Sequence, residues 1–231
     1  MTTVTFGDLC FEWRHSKRRT VGITVERDGQ LIIASPPEIP VEKLEKIVND
    51  KRYWIYSKLL KKESLNPPVS IKEYVSGEGF HYLGRSYRLK IIDTSPQQSP
   101  LKLHQSRFEL HRTAQRDGRE HFINWYRQHL QPVLEQQIAV LTNRVGAVPR
   151  SINIRDLGFH WGECGNKGDL YFHWRVAMLP KSMIEYLATH ELAHLLQPHH
   201  HKAFWDIVER ILPDYEERKR WLAENGASYD L

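Results

Sequence analysis

The residues whose types and spacing could do chemistry lie in a short stretch near the C-terminal end. His190 and His194 are four positions apart, so on a helix they project from one face with Cβ atoms about 5–6 Å apart. Zn–N bonds are about 2.0–2.1 Å long, and this separation therefore lets both imidazoles reach one ion. Glu191 follows the first histidine, where its carboxylate can act as general base on water that the ion activates. The pattern His-Glu-x-x-His predicts the metal site of a hydrolase.

A third ligand is expected, because a catalytic zinc usually has three protein ligands and a water. Pro198 lacks an amide hydrogen and should end the helix, so that the following chain can fold back over the ion. His200 has the spacing of the last histidine in the extended motif His-Glu-x-x-His-x-x-Gly-x-x-His, although Gln197 replaces the glycine of that motif. On spacing alone, His199 and His201 compete with His200 for this role.

The same pattern also arises by chance on ordinary amphipathic helices, so the surrounding residues matter. The apolar residues of this stretch recur at helical spacing and predict a buried stripe formed by Ile184, Ala188, Leu192 and Leu195. At about 100° per residue, both histidines fall to one side of that stripe. A core histidine would lie within the stripe, and the pattern therefore favours a metal site over a purely structural helix.

Composition describes an ordinary globular chain. The 231 residues are 40% hydrophobic and 26% charged, and no apolar run approaches the roughly 18 residues of a membrane span. No secretory signal is visible at the start of the sequence. The two cysteines, Cys10 and Cys164, are expected to be free thiols, and we expect a cytoplasmic protein.

The formal net charge is +5 and the isoelectric point is near 9.1, which permits an anionic partner such as a nucleotide or a nucleic acid. The interpretation we favour for the densest basic cluster is the solvated tip of a hairpin, with a phosphate contact as the alternative. This cluster consists of Arg14, His15, Lys17, Arg18 and Arg19.

The order of predicted elements indicates an α+β fold in two domains. The first, residues 1–112, is a β-rich module with a hairpin at Asp28-Gly29 and a helix from Pro40 to about Glu63. The second, residues 113–231, begins with a helix to about Arg144 that Pro132 should kink or divide. A small antiparallel sheet, the metal-binding helix and further helices are expected to follow.

Hydrolysis also requires a group that stabilises charge on the attacked carbonyl or phosphoryl oxygen. A strand predicted over residues 169–176 precedes the metal helix and places Tyr171, His173 and Arg175 on one face. These three residues are our candidates for substrate binding. The alternative is that they form one side of a half-exposed edge strand.

Several motifs in the second half of the chain follow one another in a distinctive order. They are Trp161-Gly-Glu-Cys164, a glycine-containing turn, an aromatic strand, the His-Glu-Leu-Ala-His stretch, His200-x-x-x-Phe204-Trp205 and Pro213-Asp-Tyr215. In this order the sequence resembles the YgjP-like metallopeptidase-type family, which is similar to SprT-like and other small zincin domains. Where this family usually has serine and often has asparagine, the present chain has Glu163 and His173.

The resemblance implies a zincin-like C-terminal domain in which His190, His194 and His200 bind one divalent metal ion and Glu191 is the base. We expect this ion to be zinc, with nickel and manganese as alternatives. In the related domains a strand beside the metal helix can hold an extended peptide.

Three functions are therefore open. The first is a metallopeptidase with a peptide substrate, and it is the one that we favour. The second is a metal-dependent nucleotide phosphohydrolase, such as a nucleoside triphosphate pyrophosphatase, which the basic balance of the chain would suit. The third is a non-enzymatic nucleic-acid-binding protein, against which Glu191 argues, because a structural metal site has no use for a base at that position.

Overall fold

A computed structural model describes residues 2–17, 19–26, 30–65, 72–93 and 99–231. The chain divides into two compact units, Met1–Pro68 and Val69–Leu231, which we call the N-terminal and C-terminal units. The predicted boundary between residues 112 and 113 differs from this division. The reason is that strands assigned by sequence to the first module bury their aromatic side chains in the core of the C-terminal unit.

The N-terminal unit combines a four-stranded sheet with one helix. Its strands have the order β1-β2-β4-β3, with β2 and β4 parallel and the other two pairs antiparallel. The core is formed by Phe11 and Ile33 of the sheet and by Leu44, Val48 and Ile55 of the helix. The elements are β1 (Thr2–Phe6), β2 (Leu9–His15), β3 (Gly22–Val25), β4 (Leu31–Ser35) and α1 (Val41–Leu65).

The sequence patterns of this unit agree with its structure. The helical spacing of the apolar residues places the buried residues of α1 on one side, towards the sheet. The strands β3 and β4 pair as an antiparallel hairpin, as predicted. The predicted Asp28-Gly29 turn itself lies outside the described residues, as does Arg18 of the basic cluster.

The C-terminal unit begins with a second four-stranded sheet, of order β5-β6-β8-β7. Aromatic side chains join it to the long helix α2: Phe80 stacks on Phe122 with ring centroids 4.0 Å apart, and Phe108 meets Trp125 edge-on at 4.9 Å. Offset and edge-on pairs of this kind add to the hydrophobic gain of burial. The elements are β5 (Gly79–Tyr82), β6 (Arg85–Ile92), β7 (Leu101–His104), β8 (Arg107–His111) and α2 (Gly118–Val145).

Helix α2 continues through Pro132 as one element, so the predicted alternative of two abutting helices is wrong, and that of a kink stays a prediction. Proline removes one main-chain hydrogen bond from a helix interior. On either side of it, Leu130 and Leu134 are fully buried in the core. We attribute the continuity of the helix to this packing, which compensates for the missing bond.

The remainder of the C-terminal unit contains a three-stranded sheet and three helices. The sheet has the order β10-β11-β9, and it is mixed rather than antiparallel, because β9 runs parallel to β11. The predicted α+β class is confirmed, and the orientation of β9 corrects one detail of it. The elements are β9 (Ser151–Arg155), β10 (Gly162–Cys164), β11 (Asp169–His173), α3 (Lys181–His194), α4 (Lys202–Ile211) and α5 (Tyr215–Asn225).

Candidate metal centre

Helix α3 carries the His-Glu-x-x-His stretch, and its two histidines lie next to the buried apolar stripe. Ile184, Ala188 and Leu192 are buried, as the periodicity predicts, whereas Leu195, also predicted in this stripe, follows the end of the helix and is half-buried. The helix begins directly after Pro180, which fixes a backbone conformation suited to a helix start, and it ends at His194. The apolar stripe therefore anchors the helix and sets the direction in which the histidines project.

Three imidazoles converge at the end of this helix. The Nε2 atoms of His190 and His200 lie 2.9 Å apart, and the ring of His194 lies 4.9 Å from His190 and 4.7 Å from His200 between centroids. One nitrogen from each ring lies within 4.8 Å of the others, and in the described part of the chain this is the one group of three or more potential ligands that close together. Tetrahedral zinc with bonds of about 2.0–2.1 Å requires nitrogens about 3.3 Å apart, so the set fits one ion after a small adjustment.

Surrounding groups fix these rings in place. The Nδ1 atom of His194 lies 3.1 Å from the carbonyl oxygen of Gln197, a bond that places the proton on Nδ1 and leaves the Nε2 lone pair for a metal. The buried ring of Phe204, from α4, packs against all three imidazoles at 4.5–4.9 Å between centroids. The ring of Trp205 stacks on His200. The segment after Pro198 is therefore held back over α3, as the sequence predicted.

Burial also sets the charge of the three imidazoles. It lowers the pKa of His190 to about 3, and it lowers the pKa values of His194 and His200 as well, with the neighbouring histidines adding to the effect in both His190 and His200. The rings are therefore neutral near pH 7, which is the form that binds a metal. Three neutral imidazoles suit zinc, nickel, copper and iron.

Glu191 lies beside this cluster and is 5% exposed. Burial, together with a smaller effect of the nearby carboxylate of Glu163, raises the pKa of its carboxyl group to about 8. The carboxyl group packs directly on Gly162 of β10: a Cβ at that position would lie 2.6 Å from Oε1 and 2.8 Å from Cγ of Glu191. Gly162 belongs to one of the motifs of the family resemblance, but its contact with Glu191 was not predicted from the sequence.

Strand β10 borders a cleft that leads to the histidines. The cleft has a volume of about 710 Å³, and its walls include Gly162 and Cys164 on one side and His194 and His199 on the other. The main chain of Trp161 and of Gly165 bonds to β11, through 2.9 Å and 2.8 Å contacts. Because main-chain groups alternate along a strand, those of Gly162 and Cys164 point to the opposite edge, where no strand pairs with β10 within the described ranges.

The three predicted substrate-binding residues, Tyr171, His173 and Arg175, do not line this cleft. The prediction of one shared strand face was wrong for Arg175, because β11 ends at His173 and residues 174–178 form a 3-10 helix. The ring of Tyr171 is covered by the guanidinium of Arg155 at 3.9 Å. His173 and Arg175 are buried.

His173 and Arg175 instead hold the loop that precedes β10. Arg175 donates to the carboxylate of Asp230 at 2.9 Å and to the carbonyl oxygen of Gly158 at 2.7 Å. The Nδ1 atom of His173 accepts a hydrogen bond from the main chain of Arg175 at 3.1 Å, and its Nε2 lies 3.3 Å from Asp156. Burial lowers the pKa of His173 to about 4, with Arg175 adding to this effect. These contacts therefore hold the loop between β9 and β10 in place.

The remaining predictions concern the basic cluster, the cysteines and membrane spans. Arg14 of the basic cluster pairs with Glu12 at 2.7 Å in the N-terminal unit. Cys10 and Cys164 are free thiols. Among the helices of the described residues, none combines the length and the apolar character needed to cross a membrane.

The convergent imidazoles, the buried glutamate and the bordering strand form the arrangement expected of a metal-dependent hydrolase. A family comparison agrees, since the model described as YgjP-like, metallopeptidase domain, matches residues 19–225. The chain belongs to this family, which confirms the resemblance seen in the sequence.

Two further comparisons are less informative. The crystal structure of the metallopeptidase zymogen of Pyrococcus abyssi abylysin is similar over 38% of this chain and 91% of that chain, with 24% identity and a TM-score of 0.36. None of the curated proteins compared with the sequence matches it significantly.

The run of three histidines allows a direct test of the third ligand. We expect His200→Ala to weaken zinc binding at least about 100-fold, because loss of a direct ligand should cost no less than loss of a supporting contact. The control is His201→Ala, since His201 is exposed and lies outside the cluster. Competition with a chromogenic chelator measures both affinities. Equal losses in the two variants would contradict the assignment.

The depressed pKa of His173 predicts a pH-dependent stability. An unfolded histidine binds a proton near pH 6.5, whereas the folded one does so near pH 4, so the stability contributed by the neutral ring is lost as the pH falls through this window. Relative to His173→Asn, the wild type should lose about 2 kcal/mol of unfolding free energy between pH 7 and pH 5. Urea unfolding at a series of pH values measures this difference. The difference should stay constant between pH 7 and pH 8, and a constant difference down to pH 5 would refute the burial of a neutral His173.

Proposed function

We propose that the protein is a metallopeptidase that hydrolyses extended peptide segments, with His190, His194 and His200 as metal ligands and Glu191 as general base. One observation carries the proposal. The buried carboxyl group of Glu191 lies between the imidazole cluster and the strand β10, in contact with Gly162. This contact supports the proposal, because the candidate ligands, the candidate base and the strand β10 all border one cleft.

Each residue type has a defined role in this proposal. A bound divalent ion supplies Lewis acidity and lowers the pKa of water towards about 7. The three imidazoles hold that ion, and the carbonyl of Gln197 fixes the tautomer of His194. Glu191 accepts the proton of the attacking water and passes it to the leaving amine. Its carboxylate form is favoured when a cation lies beside it, because an opposite charge offsets the effect of burial on the pKa.

The edge of β10 supplies the substrate contact. The main-chain groups of Gly162 and Cys164 that point away from β11 can bond to an extended peptide, as in other cases of strand addition. Such hydrogen bonds involve only the backbone of the substrate. They would therefore place a peptide bond beside Glu191 whatever side chains the substrate carries. The exposed Glu163 lies between them on the strand.

The lining of the cleft favours a peptide over a nucleotide. Among the described residues that line the cleft there is no lysine and no arginine, whereas Glu163 and Glu191 both line it. A polyphosphate would meet there the carboxyl group of Glu191 and that of Glu163, which is paired with Arg155 at 3.1 Å, and no cationic side chain among the lining residues, which disfavours its binding. The nucleic-acid alternative rests on the basic cluster of the N-terminal unit, where Arg14 is already paired with Glu12.

The experiment compares substrate classes directly. The purified chain, loaded with one equivalent of Zn²⁺, Ni²⁺ or Mn²⁺, is offered casein and a library of internally quenched peptides. In parallel it is offered a nucleoside triphosphate panel with phosphate and pyrophosphate readout. We expect peptide fragments that depend on the metal and no phosphate release. Release of phosphate or pyrophosphate without peptide cleavage would refute the peptidase proposal.

The role of Glu191 predicts the behaviour of an isosteric variant. Glu191→Gln should reduce kcat/KM on the best peptide by about 10²–10⁴-fold, because loss of a positioned general base typically costs that much. Zinc affinity should change little, since the three imidazoles remain. Glu163→Gln is the matched control on the opposite wall of the cleft. Retention of activity in Glu191→Gln would exclude this mechanism.

The contact between Gly162 and Glu191 predicts a second loss of activity. The methyl group of Gly162→Ala would overlap Oε1 of Glu191 and displace the base, for which a shift of about 1 Å can cost about 100-fold in rate. Zinc affinity should be retained. Gly79→Ala is the control, because a Cβ there meets only the hydroxyl of Ser86, at 3.1 Å. Unchanged turnover in Gly162→Ala would show that the carboxyl group does not need this space.

A further inference from the structure

A second surface with binding character lies in the N-terminal unit. A groove of about 220 Å³ runs between α1 and β3, and it is lined by Val21, Ile23, Ile47, Lys51 and Trp54. All five residues belong to one compact unit, and none of them contributes to the metal cleft. The groove is therefore independent of the proposed catalytic site.

One wall of the groove is a strand edge. The main chain of Glu26 donates to Gln30 at 2.7 Å, and Thr24 stands opposite Ile32 in the register with β4. Because main-chain groups alternate along a strand, the N–H and C=O of Ile23 point away from β4. In the sheet order formed by the described residues, β3 is the last strand on this side. Its sequence, Gly-Ile-Thr-Val, has none of the charges or prolines that commonly protect such an edge.

The other wall is a row of α1 that borders the core. Ile47, Lys51 and Trp54 line the groove, and Lys58, one turn after Trp54, continues the same side of the helix. This row lies next to the buried row that packs on the sheet, yet Trp54 remains 39% exposed. The apolar layer between helix and sheet thus extends past β3. An added strand would lay alternate side chains on this uncovered part of the layer.

The lysines on this side of α1 indicate which kind of peptide strand the groove would bind. Lys51 and Lys58 are exposed, and the ammonium group of Lys58 lies 5.9 Å from the ring centre of Trp54. Within the described ranges, neither lysine forms an ion pair with a carboxylate. Two exposed cations that pair with no carboxylate of the described residues, at or next to an apolar groove, favour a segment that combines apolar and acidic side chains. Since Lys58 covers a ring face of Trp54, that face is less suited to stacking a nucleic-acid base.

We propose that this groove binds an extended peptide segment by strand addition to β3, with apolar side chains on Ile47 and Trp54 and acidic side chains at Lys51 and Lys58. The N-terminal unit is then a peptide-recognition module. This inference concerns binding alone and does not require the C-terminal unit to be a peptidase.

The test uses the full chain as the Glu191→Gln variant without added metal, so that no peptide is cleaved. The probe is a fluorescein-labelled decapeptide with a central Val-Thr-Ile-Thr-Val segment flanked by glutamates, followed by fluorescence anisotropy. We expect saturable binding that weakens at least 10-fold in the double variant Lys51→Glu, Lys58→Glu. The control Lys46→Glu carries a charge reversal on another side of α1 and should change affinity less than twofold. Trp54→Ala should weaken binding about 10-fold, and a probe with proline at its centre should bind far less.

Other outcomes would overturn the proposal. Absence of saturable binding at millimolar probe would exclude a peptide site of this chemistry. If the probe bound equally well with and without the Lys51→Glu and Lys58→Glu substitutions, its binding site would lie outside the groove, for example in the cleft beside β10. Tighter binding of an oligothymidylate than of the probe, lost in the double variant, would identify a nucleic-acid surface instead. A dimer in sedimentation that Trp54→Ala dissociates would show that a second copy of the chain occupies the groove.

Discussion

The packing of Glu191 on Gly162 is the constraint on which the site depends. A carboxyl group that is 5% exposed costs free energy to ionise unless a positive charge or hydrogen-bond donors compensate it. Here the strand β10 approaches α3 closely enough to cover the carboxyl group, and it can do so only because residue 162 has no side chain. A divalent ion on the adjacent imidazoles is the compensation that the arrangement requires. The buried glutamate and the imidazole cluster are therefore coupled electrostatically, as the proposed roles of base and metal ligands require.

The supporting residues act from two sides of this contact. On the side of the helix, Phe204 fills the space among the three imidazoles and keeps the segment after Pro198 folded over α3. On the side of the strand, Arg175 ties the loop before β10 to Asp230 and to the carbonyl of Gly158. Arg175 and Phe204 are themselves buried, so each position is held by packing as well as by polar bonds. Precise placement of a catalytic carboxylate requires support of this kind.

Local patterns made part of this structure predictable. The sequence predicted that His190 and His194 lie on one face of a helix and that this helix has an apolar stripe. Both features are local, because they concern residues of α3 alone. The choice of His200 over its two neighbours needed the family resemblance, since spacing alone does not determine how a chain folds back after Pro198. Contacts between distant segments were not predictable from periodicity. The parallel pairing of β9, the continuity of α2 through Pro132 and the division between the units all depend on such contacts.

The edge strands β3 and β10 show why other features could not be predicted from the sequence. An edge strand has the same alternation of residues as a central one, and only the absence of a neighbour distinguishes it. In β10, a length of three residues and the exposed Glu163 oppose continuous pairing with another sheet, while the main-chain groups of Gly162 and Cys164 remain directed into the cleft. In β3 no charged side chain performs this function, and Lys51 and Lys58 stand across the groove on α1 instead. The side chains that limit pairing at a strand edge, or that favour one partner there, thus come from different elements. Only the fold brings these side chains together.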